Sequence, residues 1–431
     1  MRSALPKVLH RAAGRTLIGH VLAAAAAAGS GSLAVVIGPD RDDVAAEAGR
    51  IAPSAPVFVQ RERLGTAHAV LAAREAIGTE YDDVLIVYGD TPLVRPETLM
   101  RLRAPLAHGA SVVVLGFEAE DPTGYGRLIS EGENLVAIRE EKDASEAERA
   151  IRLSNGGLMA ISGKHAISLM EKIGNRNAKG EFYLTDIVEV AVTSGLAVAI
   201  EQAGEAEVQG VNTRAQLAVV EAAFQRRLRA AAMEGGATLI DPDSVFFSHD
   251  TKLGRDVLVE PNVFFGTGVT VADNAVIHAF SHLEEASVGE GVSVGPFARL
   301  RPGTRMAAGS KIGNFCEAKN AEIGEGAKLN HLTYVGDATV GPRANLGAGT
   351  VTCNYDGVLK YRTTIGADAF VGVHSALVAP VTVGEGAYVG TGSVIVEDVP
   401  AGALAIARSR QVTKEGRGAE LKARLKAKKG G

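Results

Sequence analysis

Two groups of residues in this sequence have the types and spacing that chemistry needs. In the first half, Leu5-Pro6-Lys7-Val8-Leu9 opens the chain, Gln60 to His68 carries Gly65 and Thr66, and an apolar run ends in Tyr88-Gly89-Asp90. A carboxylate directly after an apolar strand sits at the strand's carboxyl end, where open α/β sheets bind ligands. Asp90 could there hold Mg²⁺, a hard cation that favours oxygen ligands and substrate phosphates, or it could cap a helix. Gly126 in Thr123-Gly124-Tyr125-Gly126-Arg127 and Asn212 in Val211-Asn212-Thr213-Arg214 add backbone and amide contacts. In the second half, His331 lies in Leu329-Asn330-His331-Leu332-Thr333-Tyr334. A neutral imidazole, with an ordinary pKa of about 6.5, suits taking a proton from an amine that attacks a thioester. A lone exposed histidine is usually just solvated, but Lys319, Tyr334, Asn345 and Lys360 flank this one and suit a sugar phosphate.

The elements that must position these groups are legible from periodicity. From residue 16 to about 212, short apolar runs (Leu33–Ile37, Val84–Tyr88, Val112–Phe117) alternate with helical stretches such as Ala67–Ile77. Apolar residues on consecutive positions read as strands of a parallel sheet buried on both faces. A helix over 214–234 carries Leu217, Val220, Phe224 and Leu228 on one stripe and stops at Gly235-Gly236. Beyond it, Val259, Phe265, Val271, Ile277 and Leu283 fall six apart, as do Val288 to Ile312 and Ile365 to Ile395. That period predicts a hexapeptide β-helix, three short strands to a coil, with its polar residues turned outward. Its flat sides predict side-by-side association as a homotrimer with clefts between subunits. The step of six breaks at 283–288 and 335–340, and Asn354–Arg362 reads as an inserted loop, where function is usually placed.

Composition narrows the rest. Of 51 glycines, 25 fall in 235–405 and 22 in the first 234 residues, which fits a coil stack that needs tight corners. Residues 406–431 carry nine Lys/Arg against two Glu, a basic tail; the remainder is near −12 against a total of −5, which argues against a nucleic-acid surface. Cys316 and Cys353 are too few for a disulfide framework and read as buried small hydrophobes, so a cytoplasmic location is expected. Arg2, Lys7 and Arg11 ahead of an apolar stretch from Thr16 to Ala28 loosely imitate a signal peptide. Pro6, His10 and Gly14 interrupt it, and an Ala-rich helix ended by Gly29-Ser30-Gly31 fits better. The stretch is too short to cross a bilayer, and no membrane insertion is expected.

Taken in order, these motifs closely resemble the bacterial bifunctional N-acetylglucosamine-1-phosphate uridylyltransferase/glucosamine-1-phosphate acetyltransferase family, over nearly the whole chain. The resemblance implies a Rossmann-like nucleotidyltransferase domain over 1–213, a linker helix over 214–234, a left-handed β-helix acetyltransferase over 235–405 and the tail over 406–431. It implies acetyl transfer from acetyl-CoA to glucosamine-1-phosphate, then uridylyl transfer from UTP to the product, in cell-envelope precursor synthesis. Lys7 would neutralise nucleotide phosphates, while Gln60, Gly65 and Thr66 would hold the uracil. Asp90 and Asn212 would carry Mg²⁺, and Tyr88, Gly89, Gly126, Glu140 and Asn155 would line the sugar site. His331 would be the general base, with Tyr334 and Asn345 near the reacting groups and Arg301, Lys319 and Lys360 on the sugar phosphate. Ala348, Asn354, Tyr355, Val373, Thr391 and Arg408 would contact substrate or acetyl-CoA; the family often has Ser where this chain has Val373. The family also begins with a strand and a loop, Leu-Ala-Ala-Gly-x-Gly-Thr-Arg-Met, whose last residue aligns with Met1. The strand and loop are thus expected to be missing: either the chain is truly truncated, with little uridylyl transfer or an acetyltransferase whose first domain is a remnant, or its start falls at an internal Met.

Overall fold

The computed structural model describes residues 1–78 and 81–429. The chain divides into two compact units, Met1–Leu228 and Arg229–Gly431.

In the first unit, a hairpin of β1 (Arg11–Ala12) and β2 (Arg15–Thr16) leads into helix α1 (Leu17–Ala27). Thr16 caps α1, its hydroxyl accepting from Gly19 N at 3.2 Å, and Gly29 leaves the helix at φ 76°. Two parallel strands follow, β3 (Val35–Ile37) and β4 (Val57–Val59), joined through α2 (Asp42–Ile51). After α3 (Thr66–Ala72) comes β5 (Asp83–Ile86), then α4 (Pro96–Ala107), β6 (Val112–Glu118), β7 (Arg127–Glu131), β8 (Asn134–Arg139), β9 (Leu153–Ser162) and β10 (Val198–Gln202). Strands β10, β6, β9, β7 and β8 form one sheet in that order, with β5 also on β9, while β3 and β4 form a sheet of their own. The sheet is mixed rather than parallel, because β9 runs antiparallel to both β5 and β6. Strands β8 and β9 both pair antiparallel with β7, which lies between them, and the chain crosses from one to the other over 140–152, through the short helix Glu146–Arg149. Val112 to Leu115 and Phe117 are fully buried, as consecutive apolar residues covered on both faces must be.

The second unit is a parallel β-helix. Every one of its ladders is parallel, and the strands lie in a 10-stranded and a 14-stranded sheet. The two remaining faces merge in the larger sheet where long strands such as Glu317–Ile323 and Tyr334–Val340 carry the chain past a corner. The six-residue register is the inward register: Val259, Phe265, Ile277, Leu283, Val294, Leu300 and Ile312 are all fully buried. Successive coils pair Val259 with Ile277, Ile277 with Val294, and Val294 with Ile312. Ile312 then pairs with Leu329 and Leu329 with Leu346, and the coil after these is longer, since Val340 pairs with Ile365; the extra chain forms a loop closed by a bridge between Tyr355 and Lys360. The basic tail is not featureless: Arg417–Lys429 is an exposed helix. Among the described residues no helix is long and apolar enough to cross a membrane.

Phe265 stacks on Phe247 with centroids 5.0 Å apart inside the coil stack. Phe265→Ala is expected to cost about 3–5 kcal/mol, the usual range for a buried ring lost from a core. Differential scanning calorimetry of parent and variant would show the loss confined to the transition of the β-helix.

Candidate active sites

In the first unit, the strand-end geometry gathers the expected residues into three linked groups. Lys7, on the short helical turn Lys7–Leu9, places its ammonium 2.5 Å from Asp90 Oδ2 and 2.8 Å from Asn212 Oδ1. Asp90 follows β5, and its carbonyl accepts from Val211 N at 3.0 Å, which brings the Asn212 turn alongside. Two oxygens thus converge on one positive centre. Nearby, Gln60 Nε2 donates to Gly65 O at 3.0 Å and lies 3.1 Å from His68 Nδ1. Gly65 has φ 121°, and a Cβ there would sit 2.4 Å from Phe182 O, so only glycine fits. The Thr66 hydroxyl accepts from Leu184 N at 2.8 Å. The third group is Gly126, Glu140 and Asn155: a Cβ on Gly126 would lie 3.6 Å from both Glu140 Oε1 and Asn155 Cβ. Asn155 N donates to Gly126 O at 2.8 Å, and Thr185 donates to Glu140 at 3.1 Å.

Tyr88 ties the groups together. Burial pushes its phenol up to about 12, the Glu140 and Asp90 carboxylates add to this, and a hydrogen bond with Thr66 works the other way. Gly89 beside it packs on Val8 and Ile18. The sequence reading missed Asp186 in this neighbourhood. Burial first, then Glu189, raises its carboxyl to about 6.

In the second unit, His331 ends the strand Lys328–His331 and pairs across the ladder with Asn314. Its Nδ1 lies 2.6 Å from Asn314 Oδ1. Because Oδ1 only accepts, the proton sits on Nδ1, and Nε2 keeps its lone pair. A cavity of about 580 Å³ borders the pair, with Lys311, Lys328 and Asn330 also in its wall. The sequence reading passed over Asn314 and these lysines; a spacing of one coil from His331 was the signal that could have found them.

A cation cluster forms separately. The Lys360 ammonium, with Arg301 further off, holds Lys319 below its usual value. Arg301 Nη1 also donates to Glu317 at 2.7 Å. Asp337 resists the cost of burial because Asn320, Asn354, Lys319 and Lys360 surround it, and its carboxyl stays below the usual range. Tyr334 and Asn354 flank Gly336: a Cβ there would meet the Tyr334 hydroxyl at 2.3 Å and Asn354 Nδ2 at 2.9 Å. His331 and Asn345 stand on the 10-stranded sheet, whereas Lys319 and Tyr334 stand on the larger one. Further along, Gly392 N donates to Val373 O, His374 N to Ala348 O, and a Cβ on Gly392 would lie 3.8 Å from Arg408 Cδ. Thr391 backs onto Gly372, one residue before Val373. Tyr355 donates to Gly357 O at 2.5 Å within the inserted loop. Cys316 is buried, its thiol pushed up by burial, and Cys353 is half-buried.

A nucleotidyltransferase-type α/β unit followed by a hexapeptide β-helix with an outward histidine defines a two-site transferase. Residues 1–171 match the MobA-like NTP transferase domain family. The bifunctional protein GlmU of Azorhizobium caulinodans is 64% identical over 98% of this chain and 94% of its own length. That of Xanthobacter autotrophicus is 65% identical over 96% and 93%, and that of Agrobacterium fabrum 56% over 100% and 95%. The chain belongs to the GlmU family of bifunctional proteins. The nucleotidyltransferase domain is present and folded, which overturns the expectation of a remnant first domain.

Asp186 supplies a test of the first unit. Its carboxyl is raised above the ordinary 3.8, so folding favours the protonated form. That contribution is complete below about pH 4 and is lost as pH rises through about 6. Urea midpoints of the first unit are expected to fall across this window in the parent, and to fall less in Asp186→Asn.

Proposed function

We propose that the two groups of residues are the two active sites of UDP-N-acetylglucosamine synthesis. The chain is an enzyme with acetyltransferase and uridylyltransferase activities, as its family membership carries. The observation that carries the residue-level reading is the Asn314–His331 pair beside its cavity. Nε2 of His331 takes a proton from the amine of glucosamine-1-phosphate as the nitrogen attacks the thioester carbonyl. The C–N bond forms, the C–S bond breaks, and coenzyme A leaves as its thiol with the proton that His331 passes on. Asn314 holds the ring in the tautomer that can do this, a positioning role. Arg301, Lys319 and Lys360 bind the sugar phosphate, with Tyr334 and Asn345 near the reacting groups. Ala348, Asn354, Tyr355, Val373, Thr391 and Arg408 take acetyl-CoA.

In the first site, a phosphate oxygen of N-acetylglucosamine-1-phosphate attacks the α-phosphorus of UTP and pyrophosphate leaves. The convergence of Asp90 and Asn212 oxygens on one cation suits Mg²⁺, which would neutralise phosphate charge when bound. Asp90 and Asn212 would hold the metal together with oxygens of the substrate phosphates. Lys7 pairs with the phosphates, Gln60, Gly65 and Thr66 hold the uracil, and Tyr88, Gly89, Gly126, Glu140 and Asn155 hold the sugar. Catalysis here is positioning and charge neutralisation.

A homotrimer completes the acetyl site. Phe280, Phe297 and Phe315 stack at 4.9 and 5.1 Å on one corner, about half exposed, and Leu332 continues the column. Phe297 and Phe315 border the His331 cavity. An exposed apolar column of this kind is suited to burial against a second copy. The free cysteines and the substrates fit the cytoplasm.

His331→Ala is expected to lower acetyl transfer about 100-fold or more while uridylyl transfer is kept. Asp90→Ala is expected to give the reverse pattern, read by pyrophosphate release. Acetyl transfer by His331→Ala at the parent rate would overturn the base assignment. Phe297→Glu is expected to give monomers in sedimentation, with acetyl transfer lost and uridylyl transfer retained.

A further inference from the structure

Three polar side chains on successive coils of the β-helix form a line of hydrogen bonds that neither proposed active site uses. The short strands Leu258–Val259, Val276–Ile277 and Ser293–Val294 pair in parallel, one coil apart. Glu260 and His278 each follow the buried residue of their strand, and Ser293 precedes that of the third, so all three turn outward from the core. His278 Nδ1 lies 2.8 Å from Glu260 Oε1, and its Nε2 lies 3.1 Å from Ser293 Oγ. Glu260 Oε2 also accepts from Ala279 N at 2.9 Å. That backbone hydrogen bond, joined by the one with His278, holds the carboxyl below its usual range against the cost of burial.

The partners fix where the protons sit. A carboxylate only accepts, so the neutral ring carries its proton on Nδ1, and Nε2 presents a lone pair to the Ser293 hydroxyl. A hydroxyl on a base that a third group orients is the arrangement that activates serine as a nucleophile, and it is recognised by geometry rather than by sequence position. The side chains of His278 and Glu260 are each 29% exposed, so the line is open at the surface and not sealed in the core. Gly295 stands one coil beyond His278, and a Cβ there would come 3.2 Å from His278 Cβ. Gly295 also lies in the wall of the cavity that His331 borders, and so does Lys311, which pairs across the ladder with Ser293. A cation beside the serine stabilises the oxyanion that forms when its hydroxyl attacks an acyl carbon.

We propose that Ser293, His278 and Glu260 form a further catalytic site, which hydrolyses short-chain acyl esters. Ser293 Oγ attacks the ester carbonyl carbon as its proton passes to His278 Nε2. The bond from that carbon to the ester oxygen breaks, the departing alcohol takes the proton from Nε2, and the acyl group stays on Ser293 as an ester. Water then attacks the same carbon, giving a proton to Nε2, which returns it to Ser293 Oγ as the carboxylic acid leaves. Glu260 is a positioning residue: it holds the ring in the required tautomer and stabilises the imidazolium between the two proton transfers.

The test uses the full chain, with p-nitrophenyl acetate as the ester and a fluorophosphonate probe that bonds to activated serines. Each measurement is made with and without His331→Ala, which removes the other histidine at the cavity and keeps the result separate from the role proposed for His331. Ester hydrolysis is expected to fall about 100-fold or more in Ser293→Ala and in His278→Gln. Glu260→Gln is expected to lower kcat with KM kept, the split that an orienting group gives and a lost binding contact does not. Peptide mass spectrometry is expected to find the probe on Ser293 in the parent chain and not in His278→Gln. A parent chain that takes no probe at Ser293 would overturn the proposal. Hydrolysis by Ser293→Ala at the parent rate would overturn it too, and so would hydrolysis that disappears with His331 alone.

Discussion

Everything in the second unit depends on parallel pairing between each short strand and the one a coil later. Because Ile312 pairs with Leu329, Asn314 must pair with His331. The same register puts Phe280, Phe297 and Phe315 in one column, and Lys319 beside Gly336. Corner residues pay for this in backbone conformation: Asn262, Phe280, Phe297, Phe315 and Leu332 all have φ between 50° and 62°. A left-handed residue other than glycine costs roughly 1–2 kcal/mol. The fully buried apolar residue that each strand supplies offsets it, at about 1.5–3 kcal/mol per side chain.

That constraint is also why the β-helix was legible in the sequence and the first unit less so. A period of six survives any reading error of one residue, and Val259 to Leu283 and Ile365 to Ile395 turned out to be the inward positions. In the first unit, the apolar runs located β3, β5 and β6, yet gave no direction for β9. An apolar run covered on both faces reads alike in a parallel or an antiparallel neighbour pair. Strand β9 itself begins with Leu153-Ser154-Asn155-Gly156-Gly157, which breaks the apolar pattern because Gly156 and Gly157 pack against Leu115 O and the Tyr88 ring. A glycine chosen for close approach leaves no hydrophobic signal.

The candidate sites divide in the same way. Lys7, Asp90 and Asn212 are far apart in sequence, and single-residue chemistry gave no sign of their meeting; their convergence on one hydrogen-bonded group comes from the turn at Val211 docking on Asp90 O. His331 was conspicuous, but its partner was not. Asn314 sits among small and polar residues, and only the length of a coil links the two. Asp186 gave no signal either, since its raised pKa comes from burial and from Glu189, which no motif encodes.

The two units therefore solve one problem by opposite means. The first brings charged groups from distant parts of the chain to strand ends, where Lys7 holds the Asp90 and Asn212 oxygens together. The second fixes its outward polar groups on a stack whose interior is mostly apolar, with Thr304, Thr350, Thr363 and Ser393 buried as well. Outward groups on adjacent faces of such a stack diverge: His331 and Lys319 stand on different sheets, and Lys360 reaches Lys319 from the inserted loop. On the proposed roles of His331 as base and of Lys319 and Lys360 as phosphate ligands, groups on diverging faces meet a common substrate only when another surface closes the space between them. The exposed phenylalanine column beside the His331 cavity is the apolar surface suited to that closure in the proposed trimer.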